Sequence, residues 1–229
     1  TGTFTINLTG TNDAPEATYI TDLSVLEGAS ELDASGTAVP SLLQGTLSAT
    51  DIEASGSPSF FLVDASGALL KDASGNPTSE IQGLSLNADG SFSFDPTNSA
   101  YDSLADGQTN SITVRYVAQD ELGLNSDVES FNITVLGTND GPTATFDASG
   151  LQAIEGGTSI SGDLTSTDVD ASGSPVYSLI GSDIPGLTIN TDGSWSFDPA
   201  NVAYDDLGKD ELKTISVSYS VTDDHGAVD

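Results

Sequence analysis

The chain contains no cysteine and no methionine, a single histidine, and only 4 Lys and Arg residues. Zero cysteine excludes disulfides, zinc–thiolate sites, iron–sulfur clusters and cysteine nucleophiles. A Ser-His-Asp triad would have to be built on His225, among the last five residues. Lys71, Arg115, Lys209 and Lys213 are too few and too scattered to release phosphate counterions, so nucleic acid is excluded as a partner. An anionic membrane surface is disfavoured for the same reason. No apolar run approaches the ~20 residues of a membrane helix, which argues against membrane insertion, and no signal peptide is expected among these residues.

What the chain has in excess is acid. It carries 35 Asp and Glu, for a formal net charge of −31. At most four carboxylates can pair with a Lys or Arg. The others must face water, lie at helix N-termini or coordinate metal. The 36% hydrophobic content is low, and 24 Gly accompany abundant Ser, Thr and Asn. Such a mixture is either disordered or an all-β protein with many turns. The length of 229 residues suggests about two domains.

Internal repetition decides between these classes. Gly10-Thr11-Asn12-Asp13-Ala14-Pro15 returns as Gly137-Thr138-Asn139-Asp140-Gly141-Pro142. Leu26-Glu27-Gly28 returns as Ile154-Glu155-Gly156. Asp51-Ile52-Glu53 returns as Asp168-Val169-Asp170, each followed by Ala-Ser-Gly-Ser-Pro. Asp89-Gly90-Ser91-Phe92-Ser93-Phe94-Asp95-Pro96 returns as Asp192-Gly193-Ser194-Trp195-Ser196-Phe197-Asp198-Pro199, and Ala100-Tyr101-Asp102 as Ala203-Tyr204-Asp205. The offset falls from 127 (Asp13 to Asp140) to 117 (Asp51 to Asp168) and 103 (Asp89 to Asp192). The first copy therefore carries two loop insertions, near Glu31–Leu42 and near Ala68–Glu80.

Within each copy the apolar period is two. Ile112, Val114, Tyr116 and Ala118 share one face of an extended segment, as do Ile215, Val217, Tyr219 and Val221. Phe92 and Phe94 alternate, as do Trp195 and Phe197, and Phe131, Ile133 and Val135. Alternation with Ser and Thr between predicts half-buried antiparallel strands. Asp89-Gly90 and Asp192-Gly193 are turn signals. Asn98–Leu104 reads as a single helical turn. Disorder is rejected. Each copy is expected to be a sandwich of about seven strands.

Phe4, Ile6 and Leu8 precede Gly10-Thr11-Asn12-Asp13 just as Phe131, Ile133 and Val135 precede Gly137-Thr138-Asn139-Asp140. The expected organisation is the last strand of a preceding repeat plus linker over residues 1–11, one repeat over 12–138, and a second over 139–229 that stops before its own last strand. The chain then reads as a piece of a tandem array, cut one strand out of phase. That register implies head-to-tail strand exchange, with residues 3–8 of one molecule completing another molecule's second repeat.

Acidic residues recur at equivalent places: Asn12-Asp13 and Asn139-Asp140, Glu27 and Glu155, Asp51/Glu53 and Asp168/Asp170, Asp95 and Asp198, Asp120 and Asp223. Collecting carboxylates at strand ends costs Coulomb repulsion unless a hard cation is bound. Ca²⁺ takes 6–8 oxygens from carboxylates, amides and carbonyls. Asp168-x-Asp170-x-x-Gly173 imitates the start of an EF-hand, but position 12 of that loop is Leu179 and no helices flank it. The paired-glycine nonapeptide of β-rolls is absent.

This ordered set resembles the calcium-binding pattern of cadherin repeats. The Gly-Thr-Asn-Asp-x-Pro junction and the Asp-Gly-Ser-aromatic-Ser-Phe strand are similar to the cadherin-like, VCBS-type repeats of large RTX-type bacterial surface adhesins. The resemblance implies an all-β fold of two tandem Greek-key cadherin/immunoglobulin-like β-sandwich repeats. It implies a calcium junction of Glu27, Asp95, Asn139, Asp140, Asp168, Asp170 and Asp223, and an upstream junction using Asn12, Asp13, Asp51, Glu53 and Asp120. Glu155 and Asp198 would serve a downstream repeat. The chain departs from a cadherin at Thr97, where a Glu would stand, and at Glu53, where an Asp would stand. A site relying on that Glu is left weak or empty.

The implied function is a calcium-stiffened extender at the bacterial cell surface. It would space a terminal binding domain from the cell and support adhesion or biofilm formation, with neighbouring repeats of its own chain as partners. The rival is a carbohydrate-binding cadherin-like module of an extracellular polysaccharide-degrading protein, with glycans as partners. Trp195 matches Phe92 in the repeat, which favours core packing over a sugar platform. His225 reads as a solvated turn residue. Repeated acids argue against one unique active site, so no enzyme is expected.

Overall fold

The computed structural model describes residues 2–32, 38–53, 56–148, 151–170 and 173–229, without the side chains of 31, 32 and 38–40. The Asp-Ala-Ser-Gly string at 33–36 and the Ala-Ser steps at 54–55 and 171–172 lie outside these residues. The protein is all-β, in two compact units, Thr1–Thr138 and Asn139–Asp229. Among the described residues no helix is long and apolar enough to cross a membrane.

In the first unit the strands run β1 (Glu16–Ala17), β2 (Leu23–Leu26), β3 (Ser30–Leu32), β4 (Ala38–Pro40), β5 (Leu43–Thr46), β6 (Ala49–Thr50), β7 (Ser59–Leu62), β8 (Leu84–Leu86), β9 (Ser91–Phe94), β10 (Thr109–Gln119) and β11 (Glu129–Leu136). One sheet has the order β2-β11-β10-β7, and the other β5-β9-β8. Ladder β10–β11 is antiparallel from Thr109↔Leu136 to Tyr116↔Glu129, and β7 takes over β10 from Tyr116↔Leu62 to Gln119↔Ser59. Strand β2 joins β11 in parallel, Leu23↔Ile133 to Leu26↔Leu136. The inward faces of the two sheets meet in one core, in which Phe94, Tyr116, Ile133 and Val135 are wholly buried. Burial pushes the Tyr116 phenol up to about 12, and its O–H donates to Thr18 O at 2.7 Å. The two insertions are small appendages: the hairpin β3–β4, and a ladder of single bridges, Val63↔Leu69 and Lys71↔Pro77.

The second unit has β12 (Thr143–Ala144), β13 (Ile160–Asp163), β14 (Ser166–Thr167), β15 (Val176–Leu179), β16 (Leu187–Ile189), β17 (Ser194–Phe197), a 3₁₀ turn at Val202–Tyr204, and β18 (Tyr219–Thr222). Its sheets are β13-β17-β16 and β15-β18, with a short pair β12-β14. These repeat β5-β9-β8, β7-β10 and β1-β6. The single helical turn expected at Asn98–Leu104 is instead two successive turns, Tyr101 N–H to Asn98 O and Leu104 N–H to Tyr101 O, while its counterpart in the second unit is the 3₁₀ turn. Both copies anchor a tyrosine the same way: Tyr101 Oη donates to Gln82 O at 2.8 Å, and Tyr204 Oη to Pro185 O at 2.7 Å.

One expectation fails in the second unit. Ile215 and Val217 do not extend β18 backwards, and Val217 is 41% exposed. In the first unit, residues 3–8 form no strand: Phe4, Ile6 and Leu8 are 87%, 77% and 95% exposed. The difference in the second unit follows from strand pairing. In the first unit Thr109–Arg115 pairs only with β11, and β2 pairs only with β11. Among the described residues the second unit has no counterpart of β11. Its equivalents of Thr109–Arg115 and of β2 therefore have no ladder to join. Leu151, which matches the partly buried Leu23, is accordingly left exposed.

Candidate metal centre

The Asp-Gly turns show how this sequence uses acid locally. Asp89 Oδ1 accepts the Ser91 N–H (3.0 Å) and hydroxyl (2.6 Å), and Asp192 Oδ1 accepts the same pair from Ser194. These Asx contacts lower both carboxyl pKa values, the serine hydroxyl contributing most. Gly90 and Gly193 follow with φ of +86° and +88°, a left-handed step that glycine takes without a Cβ penalty. Such acids are accounted for by their turns.

A different arrangement occurs where β10 and β18 end, once in each unit. Asn12 donates its side-chain N–H to Asp120 Oδ2 at 2.6 Å, and Asn139 does the same to Asp223 Oδ2 at 2.8 Å. The Asp13 backbone N–H donates to Glu53 Oε2 at 3.2 Å, and that of Asp140 to Asp170 Oδ2 at 2.7 Å. The Glu53 N–H reaches Asp51 Oδ1, and the Asp170 N–H reaches Asp168 Oδ1, both at 3.1 Å. Finally, Asp120 Oδ1 accepts the amides of Leu122 and Leu124, and Asp223 Oδ1 those of His225 and Ala227. The structure thus gathers Asn12, Asp13, Asp51, Glu53 and Asp120 in the first unit, and Asn139, Asp140, Asp168, Asp170 and Asp223 in the second.

The electrostatics follow from these contacts. Asp120 is held below the usual carboxylate range by the Asn12 N–H first, and by the Leu124 and Leu122 amides against the cost of burial. Asp223 is held down in the same way by Asn139, then by Ala227 and His225. Glu53 moves the other way. Its carboxyl is pushed up by desolvation first, although the residue as a whole is exposed, and then by neighbouring Asp13 and Asp51. Asp120, Asp170 and Asp223 are all buried.

Glu27 and Asp95 occupy the opposite end of the first unit. Glu27 N–H donates to Leu136 O, beside Thr109 at the start of β10, whereas Asp120 follows the end of that strand. Eleven residues of strand separate the two ends, about 35 Å at ~3.3 Å per residue. Glu27 is 4% exposed, and its carboxylate accepts the backbone N–H and the hydroxyl of Thr138, both at 3.1 Å. The Gly28 N–H donates to Pro96 O and ties this turn to the Asp95 turn, where Asp95 Oδ1 accepts the Thr97 N–H and hydroxyl. Thr97, noted in the sequence only as a missing Glu, is therefore the partner of Asp95. Thr138 was also missed as a holder of Glu27, although it lies in the repeated Gly-Thr-Asn-Asp string. Glu155 and Asp198 are exposed in the second unit.

Among the described residues no three Asp, Glu or His side chains are gathered in metal-holding geometry. The donor set nonetheless suits a hard cation: carboxylates and amide oxygens only, without a nearby Lys or Arg in either sequence motif. The most specific sign is Asp170. It is 6% exposed, and its Oδ1 is buried with no hydrogen-bond partner. A buried carboxylate oxygen without a partner is costly, and a cation would satisfy it.

Trp195 is 8% exposed and meets Phe146 edge-on, with ring centroids 6.1 Å apart. His225 lies in the Asp223 loop, with Nδ1 3.2 Å from Asp224 Oδ1. Lys71 and Lys213 lie over the rings of Phe61 and Tyr204, at 4.8 and 5.1 Å.

Residues 139–229 match a bacterial Ig domain. With its two facing sheets, the second unit is an Ig-like β-sandwich, and the first repeats its strand pattern. No curated protein matches the chain. Similar solved structures include PcdhgB3 EC1-4 (14% identity, TM-score 0.46, 94% of this chain and 47% of that one) and human protocadherin-24 EC1-2 (14%, 0.45, 93% and 87%). Drosophila N-cadherin EC1-4 is another (13%, 0.32, 96% and 49%). The chain spans about half to three-fifths of the first three structures it matches.

Proposed function

We propose that these units are part of a calcium-stiffened extender at the bacterial cell surface, a non-enzymatic array that carries a terminal binding domain away from the cell and supports adhesion or biofilm formation. The observation that carries this reading is the carboxylate set built twice from the same contacts, at Asn12–Asp120 and at Asn139–Asp223, with a buried unsatisfied oxygen at Asp170. Asn139, Asp140, Asp168, Asp170 and Asp223 would hold Ca²⁺ in the second unit, and Asn12, Asp13, Asp51, Glu53 and Asp120 in the first, with Glu27 and Asp95 serving the far end of the first unit. The ion supplies positive charge among acids that otherwise repel, and fixes the linker that carries the Asn-Asp pair. The Asn12 and Asn139 side chains, with the loop amides, already hold Asp120 and Asp223 ionised and in place, so little ordering remains for binding.

The test is thermal melting and small-angle scattering, with calcium and with chelator. A ligand bound only by the folded state raises stability by about 2.7 kcal/mol at a hundred times its Kd. Calcium is expected to raise the melting temperature and narrow the distribution of maximum dimensions. If chelator changes neither, the reading is wrong.

A further inference from the structure

The string Gly137-Thr138-Asn139-Asp140 carries the chain from one unit to the other, and each of its residues is held. The Gly137 N–H donates to Gln108 O at 2.9 Å. A Cβ at this position would run into the backbone carbonyls of Leu104 and Ala105, so only glycine lets the chain pass so close. Thr138 gives both its backbone N–H and its hydroxyl to the Glu27 carboxylate. Glu27 is buried and anchored in turn, because its own N–H donates to Leu136 O and that of Gly28 to Pro96 O. These partners all belong to the first unit.

Asn139 and Asp140 are held by the second unit. The Asn139 side-chain N–H donates to Asp223, and the Asp140 backbone N–H to Asp170. Pro142 follows, buried and with its φ fixed by the ring. Asn12 and Asp13 make the same two bonds within the first unit, to Asp120 and Glu53, so this half of the string works alike in both copies. No spare residue lies between the two sets of holds. Thr138 is gripped at its backbone nitrogen and at Oγ1, on either side of its Cα. Asn139 is gripped at its side-chain nitrogen and at the nitrogen that follows it. The peptide between the two Cα atoms is planar, so only two soft torsions remain, ψ of Thr138 and φ of Asn139. A flexible linker offers two at every residue along its length.

We propose that Gly137–Asp140 is a linker with no free residue, in which Glu27 positions Thr138 and Asp223 positions Asn139, so that motion of one unit against the other is confined to the two torsions between those residues. Glu27 acts in this role through hydrogen bonds and needs no ion. The Gly-Thr half of the string serves the unit before it and the Asn-Asp half the unit after it. Hinges are commonly a few residues that absorb large φ and ψ changes, and here they are reduced to a single peptide junction. The bonds form without calcium. The test is therefore run in chelator, where its outcome and that of the calcium reading stay separate.

The experiment is ¹⁵N relaxation and amide hydrogen exchange of the full chain in chelator. Order parameters across Gly137–Asp140 are expected near the ~0.85 of rigid backbone, with slow exchange at Thr138 and Asp140, whose N–H groups are both donated. Glu27→Ala should lower the order parameter of Thr138 and speed its exchange, while Asp140 keeps both values. Glu27→Gln, whose amide oxygen still accepts, should restore Thr138. One glycine inserted between Thr138 and Asn139 adds two torsions and should shorten the rotational correlation times of both units. Order parameters below ~0.6 at any of the four residues, or fast exchange at Thr138 in the parent chain, overturn the proposal. A Thr138 amide that stays slow in folded Glu27→Ala overturns it too, because the hold then comes from elsewhere. So do correlation times that the inserted glycine leaves unchanged, since the linker was then loose already. Should Glu27→Ala fail to fold, the parent exchange rates and the glycine insertion decide.

Discussion

The side-chain N–H of Asn139 donates to the carboxylate of Asp223 at 2.8 Å, across 84 residues of sequence. It ties the entry of the second unit to the loop after its β18 strand, and Asn12 makes the same bond to Asp120 in the first. Asn139→Ala removes the largest cause holding the Asp223 pKa down. Asp223 should then titrate at higher pH in a carboxyl NMR titration, and the urea midpoint of the second unit should fall, with the first unit unaffected.

Acid should weaken both units, in a window set by these shifts. Asp120, Asp223, Asp64, Asp72, Asp89 and Asp192 all have folded pKa values lowered from the ordinary aspartate value by hydrogen bonds to their carboxylates. The unfolded carboxylates bind protons first, so the stability these groups contribute is complete above an unfolded pKa of about 4 and drains away as pH falls through the lowered folded values. Glu53 has the opposite sign, because its folded pKa is raised. Its contribution favours folding only while protonated and is lost as pH rises through the folded value. Glu53→Gln in chelator should therefore be neutral or stabilising at pH 7. Denaturant midpoints measured from pH 2 to 7 check both signs.

Asp170→Asn separates ion binding from folding. It replaces a buried carboxylate whose Oδ1 has no partner, at nearly constant volume. Without calcium the second unit should melt at the same temperature or higher, since a buried carboxylate with one unpartnered oxygen is gone. Calcium affinity should fall on the order of tenfold, because ligand charge sets the strength of such sites. Calorimetric titration gives the second quantity and melting the first. A variant that binds calcium as well as the parent would remove Asp170 from the ligand set.

The central role of β11 predicts an unequal response to truncation. Phe131→Ala should cost the first unit about 3–5 kcal/mol, and Ile133→Ala about 2–5 kcal/mol. Beyond the midpoint shift, hydrogen exchange should rise along Thr109–Arg115, whose ladder is with β11, before it rises along Tyr116–Gln119, whose ladder is with β7.

Gly90→Ala should destabilise the first unit. A Cβ there would stand 2.6 Å from Leu47 O at a φ of +86°. The left-handed step alone costs an L-residue about 1–2 kcal/mol. The urea midpoint should fall by more than that cost alone, since the carbonyl it meets is backbone.

Strand periodicity was legible because Phe92, Phe94, Val114 and Tyr116 alternate strictly with Ser, Thr and Arg, and only one face of such a segment can be buried. The same alternation misled at Ile215 and Val217. Alternation reports which face a strand would bury, but not whether a neighbouring strand exists to pair with it. The Asn-Asp and Asp-x-Glu/Asp motifs could be read as groups because they recur in order. What could not be read was the pairing inside each group. That Asn139 reaches Asp223 rather than Asp168 depends on where β18 ends against the sheet. The Thr138 hold on Glu27 was hidden because one Thr in a Gly-Thr-Asn-Asp string has no period to mark it.

The parallel pairing of β2 with β11 has a consequence for a chain under tension. Leu23–Leu26 lies near the start of the first unit and Ile133–Leu136 near its finish, and the two run side by side in the same direction. Pulling the ends of that unit apart would slide one strand lengthwise past the other. Bonds that cross the pulling direction then carry the load together, instead of opening one by one as in a peeled hairpin. The short four-residue ladder would act as a shear clamp, and its rupture would come before any unravelling of the core behind it.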